Sequence, residues 1–313
     1  MTAWIDYYIA LTGHSPEPKQ MLLMSLTPVF MLALALEYLV MRHRKRTGHF
    51  QLADIFTNFS LGASYQLVEL LYHALFLGLA MALLWEFRLT TIEMTLSMWA
   101  VLLFAQEFFY YWFHRASHRI RWFWCAHVVH HSGEHMNLST AMRQSMTYSL
   151  NLSQVFWVPL ILAGFPPAAV LVAYSINLAY QYFVHTESVG RLSPLVEFIF
   201  NTPSHHRAHH GRNDVYIDKN YGGILIIWDR LFGTFQPELD EEPVEYGIPR
   251  QVKSRNLFTL NFHEWRDMFG DMLAPGPLHL RLAHLWKPPE WQRPPTNSTR
   301  VFLRRCLSNG ATP

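Results

Sequence analysis

Eighteen histidines are present in this sequence of 313 residues, and half of them fall into closely spaced groups. Three runs contain most of these, HRASH at 114–118, HVVHH at 127–131 and HRAHH at 206–210. Residues i, i+3 and i+4 lie on one side of a helix, so the imidazoles of each run can converge. The spacing therefore predicts a metal site. The predicted ligands are His114, His118, His127, His130, His131, His206, His209 and His210, with His185 at the end of an apolar stretch as a ninth.

The size of this ligand set favours two metal ions over one. A structural zinc site takes four ligands, often including cysteine, and Cys125 and Cys306 are the only cysteines in the sequence. Imidazole binds zinc, copper, iron and nickel alike, so the ligand type does not select the metal. A paired site with open positions suits activation of O2, which requires a redox metal. Iron is therefore the predicted metal.

Several polar residues near the histidines have two interpretations. Asn177 and Gln181 precede His185 on its helix face, where they either line the site or bond between helices. His205 falls outside the HxxHH spacing and is interpreted as structural, as are the isolated histidines such as His73. Nearby acids are either partners that fix the imidazole tautomers or ordinary surface carboxylates. These acids are Glu107, Glu187, Asp214 and Asp229.

Composition and hydropathy place the chain in a membrane. Half of its residues are hydrophobic and only 15% are charged, against about 25% in soluble domains. The net charge of +2 gives no indication of nucleic-acid binding. A membrane-spanning helix needs about 20 apolar residues. Segments near this length are Met21–Val40, Leu61–Trp85, Glu93–Phe113 and Tyr148–Tyr182. The last segment is interrupted at 164–167 and is interpreted as two helices, of which the first covers roughly 150–163. The beginning of the sequence has no signal-peptide pattern. The predicted fold is all-α, a polytopic transmembrane helical bundle.

The distribution of basic residues predicts the orientation of this bundle. The run Arg42–Arg46 follows the first apolar segment, and such runs favour the cytoplasmic side. Counting segments from there places every histidine run on the cytoplasmic side, in a helical cap that carries a di-metal site. The predicted organisation is an N-terminal segment at 1–20, a membrane domain with the histidine motifs at 21–245, and a cytoplasmic tail at 246–313.

The histidine motifs and their surroundings resemble a known family. HHSGEHMNLSTAMRQS, QYFVHTE, NTPSHHRAHHGRNDVYIDKNYGG and ILIIWDRLFGTF are similar to motifs of the membrane-bound fatty acid hydroxylase superfamily, also called the sterol desaturase family. The similarity is greatest to the alkylglycerol monooxygenase group and its bacterial members, and it covers roughly Val101–Pro237. It implies that the same nine histidines are ligands. Some members have a further histidine one turn before the ligand at 185, where this chain has Gln181.

The resemblance also implies the chemistry. The superfamily uses two non-haem iron ions, O2 and two external electrons, which the alkylglycerol enzymes take from tetrahydrobiopterin. No pterin site can be identified in this sequence, and an electron-donor protein is an alternative source. The expected function is O2-dependent hydroxylation of a long-chain lipid from the bilayer, with an ether-linked glycerol lipid as the first candidate.

Three alternatives remain open from the sequence. A desaturase would use the same two irons. A non-catalytic metal- or lipid-binding membrane protein would not require so complete a ligand set. A metal transporter would place its histidines at mid-membrane on interrupted helices, whereas here they follow the apolar segments.

Overall fold

A computed structural model describes residues 18–294, and within this range the chain is helical. In chain order, the α-helices are α1 (Pro18–His43), α2 (Leu52–Tyr72), α3 (Gly78–Glu86), α4 (Leu96–Arg119), α5 (Arg121–His131), α6 (Val158–Ala163), α7 (Pro167–Val184), α8 (Pro194–Ile199), α9 (Pro203–His209), α10 (Ile227–Phe232), α11 (Leu257–Leu273) and α12 (Leu278–Ala283). The only β-pairing among the described residues is two isolated bridges. The all-α prediction is confirmed. Cys306 and residues 1–17 of the predicted N-terminal segment lie outside the described range.

Two of the described helices are long and apolar enough to cross a membrane. They are residues 21–43 of α1 and the continuous helix 52–86. The second begins nine residues before the expected Leu61 and contains one π-helical turn, His73–Leu77, between α2 and α3. Single π turns are rare and are often found at functional sites.

Helix α4 links the apolar part of the molecule to the first histidine run. It begins at Leu96, where the Thr95 hydroxyl caps it by accepting a hydrogen bond from the backbone N–H of Met98. It continues past the expected end at Phe113 to Arg119, so HRASH forms its last turns. Ile120 alone separates α4 from α5, and its extended backbone turns the chain back on itself.

The predicted apolar helix at roughly 150–163 is present in the structure over Ser153–Ala163. A 3-10 helix at Ser153–Trp157 precedes α6, which has only six residues. Leu152 has a positive φ of 62°, and the Asn151 side chain accepts a hydrogen bond from the backbone of Ser153, which favours a turn. Gly164, with φ of 110°, ends α6. This segment is therefore too short to cross a bilayer as a helix.

Contacts between loops identify the two ends of the bundle. At one end, the backbone N–H of Leu89 donates to the carbonyl of Leu162 at 2.7 Å, beside the turn at Gly164. At the other end, the Arg44 guanidinium donates to the carbonyl of Ser188 at 2.6 Å. At each end of the bundle, the segments in contact are ones that the predicted orientation places on the same side of the membrane.

The region after 246 contains a packed helix where the sequence indicated a tail. Helix α11 packs against α5 through Arg121, whose guanidinium lies 2.7 Å from a Glu264 oxygen and 2.6 Å from an Asp271 oxygen. Cys125 and Met268 add a buried sulfur contact at 3.8 Å. Helix α5, which carries HVVHH, is therefore held in position by α11, a helix much later in the sequence.

Candidate metal centre

All nine histidines predicted as ligands come together in two adjacent clusters. In each, one ring nitrogen per residue lies within 4.8 Å of the corresponding nitrogen of every other member. Cluster A consists of His114, His118, His127, His131 and His209, and cluster B consists of His130, His185, His206 and His210. Every one of these side chains is buried.

Helical spacing divides the HxxHH runs between the two clusters. In α5, the i and i+4 residues His127 and His131 join cluster A, and His130 joins cluster B. In the HRAHH run, which begins in α9, the assignment is reversed. The i and i+4 residues His206 and His210 join cluster B, and His209 joins cluster A. Each run therefore contributes to both clusters and fixes the distance between them.

Backbone carbonyls fix the tautomers of several rings. The Nδ1 atoms of His114, His130, His185 and His209 lie 2.9, 3.2, 2.7 and 2.8 Å from the carbonyl oxygens of Tyr221, Arg143, Gln181 and Lys219. A carbonyl can only accept a hydrogen bond, so Nδ1 carries the proton and Nε2 presents a lone pair. These are the tautomers that bind a metal through Nε2.

The Nε2 atoms lie too close together to be stable without a cation. Those of His130 and His185 are 3.1 Å apart, although both tautomers place a lone pair there. In cluster A, Nε2 of His127 lies 3.0 Å from Nε2 of both His114 and His118, and one proton can serve only one of these contacts. Nε2 of His209 is buried without a hydrogen-bond partner. The donor set fits a metal ion in each cluster.

Burial keeps these imidazoles neutral. Loss of solvent lowers the pKa of His209 to about 4 and that of His185 to about 3. Burial also lowers the pKa of the other seven rings well below the usual value, and neighbouring histidines lower it further. Neutral imidazole is the form that binds a metal.

Two of the four acids considered in the sequence analysis support the centre indirectly. Asp229 accepts hydrogen bonds from the backbone N–H groups of Tyr221 and Gly222, both at 2.7 Å. Glu107 accepts from the backbone of Ile224 at 2.6 Å and of Leu225 at 3.0 Å. They hold the segment that contains the Tyr221 carbonyl, instead of contacting the rings.

The other two acids lie elsewhere. Glu187 accepts a hydrogen bond from the hydroxyl of Tyr246, and Asp214 is exposed. The sequence did not indicate Tyr148, whose hydroxyl hydrogen-bonds to Nδ1 of His127.

The other polar residues considered near the histidines, namely His205, Gln181 and Asn177, lie outside both clusters. His205 pairs with Glu197, with 2.8 Å between Nε2 and a carboxylate oxygen. The Gln181 side chain accepts a hydrogen bond from the Tyr110 hydroxyl at 2.8 Å. Asn177 donates to Glu107. These side chains connect helices.

A largely apolar cavity of about 550 Å³ leads to the clusters. At one end its wall includes four of the clustered histidines, His114 and His127 from cluster A and His130 and His185 from cluster B. Elsewhere it is lined by side chains such as Leu77, Met81, Trp157, Val170 and Leu171. A hydrocarbon chain in this cavity would have part of its length against both clusters.

Residues 99–234, which contain all nine clustered histidines, match the family model of the fatty acid hydroxylases. The resemblance to this family that the histidine motifs indicate is therefore confirmed. The chain is similar to alkylglycerol monooxygenase of Danio rerio, at 39% identity over 268 residues, which cover 85% of this chain and 58% of that protein. The human alkylglycerol monooxygenase is 38% identical over 267 residues, which cover 85% of this chain and 59% of that protein.

A more distant relative is the ornithine lipid hydroxylase of Rhizobium tropici, 31% identical over 146 residues, or 47% of this chain and 44% of that protein. The chain thus spans less than two thirds of the length of the relatives it matches. No solved structure matches it.

Proposed function

We propose that this chain is a membrane-bound lipid monooxygenase in which the nine clustered histidines hold two iron ions. The observation that carries the proposal is the cavity, whose wall is apolar along much of its length and contains ligands of both clusters at one end. That arrangement suits oxidation of an unactivated C–H bond on a hydrocarbon chain.

The protein supplies position and a dry environment for this reaction. When bound, the two ions would supply the redox chemistry that activates O2. The backbone carbonyls of Tyr221, Arg143, Gln181 and Lys219 hold four imidazoles in ligating tautomers. The apolar wall excludes water and holds the chain of the substrate beside the clusters.

An ether-linked glycerol lipid is the proposed substrate, because the alkylglycerol monooxygenases resemble this chain over 85% of its length. One oxygen atom of O2 enters the C–H bond beside the ether oxygen and gives a hemiacetal. The other atom leaves as water after taking up two protons and two electrons from an external reductant, for which tetrahydrobiopterin is the candidate. The hemiacetal then loses its C–O bond, yielding a fatty aldehyde and free glycerol.

We also propose that the helical bundle spans the membrane with the clusters at its cytoplasmic end. Two helices of sufficient length and hydropathy support this arrangement. The contact of Arg44 with Ser188 joins the basic run to the chain just after His185, on the side where the rule for positive charges places the cytoplasm.

The test is a membrane preparation of the expressed chain given an alkylglycerol, O2 and a reduced pterin. We expect release of a fatty aldehyde, with about two irons per purified chain. An added oxygen atom on an acyl chain would instead assign the activity named in the Rhizobium relative. Loss of two hydrogens from an acyl chain would indicate a desaturase.

A further inference from the structure

Three polar residues form a row on one face of α2 and the π turn that follows it. Tyr65, Glu69 and His73 are spaced by four residues, so their side chains succeed one another along the helix. The Tyr65 side chain hydrogen-bonds to that of Glu69. Nε2 of His73 lies 3.9 Å from a Glu69 oxygen. Together they make a continuous polar strip about 12 Å long, given the rise of a helix.

This strip is placed where polar groups are costly. It lies within the apolar helix 52–86, and Glu69 and His73 are each only 6% exposed. Ionisable residues in membrane helices usually mark a binding or transport pathway, because burying them in lipid costs free energy. The helix also changes to π geometry at His73.

All three residues line the cavity that ends at the histidine clusters, and Tyr174 of α7 adds a further hydroxyl-bearing side chain to its wall. The strip begins close to the metal centre. The rings of Tyr65 and Tyr148 have centroids 6.4 Å apart, and the Tyr148 hydroxyl bonds to His127 of cluster A. A ligand in the cavity can therefore contact the strip and the clusters at the same time.

We propose that Tyr65, Glu69 and His73 form the subsite that binds the hydroxyl-bearing head group of the lipid and holds the adjacent C–H bond at the clusters. This inference rests on the proposed function and adds the residues that select the substrate. The strip combines a carboxylate, which accepts hydrogen bonds, with a phenol and an imidazole, which can donate them. Each hydroxyl of a diol both donates and accepts, so a neutral diol matches the strip.

The polar groups of the cavity distinguish this substrate from its rivals. A free fatty acid or a phosphate head group would place an anion in a largely apolar cavity whose lining, among the described residues, includes no lysine or arginine, and a buried charge without a partner is costly. A hydrocarbon without hydroxyls would form no hydrogen bonds with the strip. Sites built to bind a hydroxyl discriminate strongly against analogues that lack it.

The experiment compares two lipids on purified full-length protein. One is hexadecyl glycerol ether, and the other is the same ether with both hydroxyls methylated, which retains the chain and the ether oxygen. Binding is measured without O2 by displacement of a fluorescent lipid, and aldehyde release is measured separately with O2 and reductant. The variants are Glu69→Gln and Tyr65→Phe, with Leu67→Met, which is exposed on the same helix and outside the cavity lining, as the matched control.

We expect the wild type and the control to prefer the diol. Glu69→Gln should weaken diol binding by roughly 10- to 100-fold, as for loss of a hydrogen bond to a charged group, and leave binding of the methylated ether unchanged. Tyr65→Phe should have a smaller effect in the same direction. The inference is overturned if the wild type binds both lipids equally, or if the variants weaken both equally. If the diol preference is present but no aldehyde is released, the subsite stands and the proposed reaction is wrong.

Discussion

His130 and His185 illustrate at the scale of single residues why the clusters fit a cation. Their Nε2 atoms lie 3.1 Å apart, while each Nδ1 proton is already donated to a backbone carbonyl. Two lone pairs in contact repel, and burial removes the water that would separate them. A cation between them converts this repulsion into ligation.

Removal of the metal should therefore destabilise the folded chain. A ligand that binds only the native state adds about 2.7 kcal/mol when present at 100 times its Kd. We expect a chelator to lower the thermal unfolding temperature and added Fe²⁺ to restore it, measured by circular dichroism in detergent. An unchanged unfolding temperature with complete iron loss would contradict the role of the clusters in stability.

Substitutions at two buried histidines distinguish an effect on metal binding from an effect on helix structure. His130→Ala should lose iron and activity together, because it removes a cluster B ring whose Nε2 faces that of His185. His205→Ala is the control, since His205 is buried but pairs with Glu197 outside both clusters. Iron is measured by elemental analysis and activity by oxygen consumption. Equal iron in both variants would exclude His130 from the ligands.

The sequence predicts the members of the centre better than their arrangement. Helical spacing selected eight histidines, and His185 followed from its place at the end of an apolar segment. The division into two clusters depends on how α5 and α9 face each other, which no local pattern contains. The carbonyl groups that fix the imidazoles, such as that of Tyr221, could not be predicted either, because every residue has a carbonyl and the sequence does not show which one faces a ring. The roles of the nine histidines as ligands stay a prediction.

At the scale of the elements, α5 depends on α11 for its position. Arg121 is buried at the start of α5 and pairs with Glu264 and Asp271 of α11. Without Arg121, the buried Glu264 carboxylate would be left with only the exposed Arg250, 3.5 Å away, and breaking a buried pair typically costs about 3 kcal/mol or more. The helix that supplies three histidines is thus held by a segment that the sequence indicated to be a tail.

Arg121→Met should accordingly lower the free energy of unfolding by about 3 kcal/mol. Arg266→Met, on the exposed side of α11 beside Asp267, is the matched control and should change it by less than about 1 kcal/mol. Denaturant titration of the purified variants measures both. A similar small effect in the two variants would show that the α5–α11 pair contributes little.

Hydropathy predicted the apolar helices more closely than their ends and their packing. Helix α1 agrees with the predicted Met21–Val40 because a long apolar run has few alternatives to a helix. The segment 150–163 forms a helix from Ser153, and turns at Asn151 and Gly164 keep this helix short. The spacing of Tyr65, Glu69 and His73 is present in the sequence, but their common place on the cavity wall depends on the packing of the helices and is seen only in the structure.

At the scale of the whole molecule, the loops at 89–92 and 162–164 meet at one end, and Arg44 meets Ser188 at the other. A transmembrane arrangement therefore requires residues 46 and 186 to lie on one side and residue 165 on the opposite side. Reporter fusions after residues 46 and 186 should both give cytoplasmic signals, and one at 165 should not. A periplasmic or lumenal signal at 186 would rule out the proposed orientation.

The burial of all nine clustered histidines has a consequence for how an ion would reach them. The cavity beside four of them is largely apolar, so a hydrated ion should enter more readily when a neighbouring segment opens, and α9 is a short helix followed by loops. Asn220 ties this region down, since its side chain donates to the carbonyls of His205 at 3.0 Å and Gln236 at 2.7 Å. The rate of local opening should then limit exchange of isotopically labelled iron into loaded protein. Asn220→Ala should accelerate that exchange. Slow exchange in the unmodified chain would make the delivery of iron during synthesis more important than the final affinity of the clusters for iron.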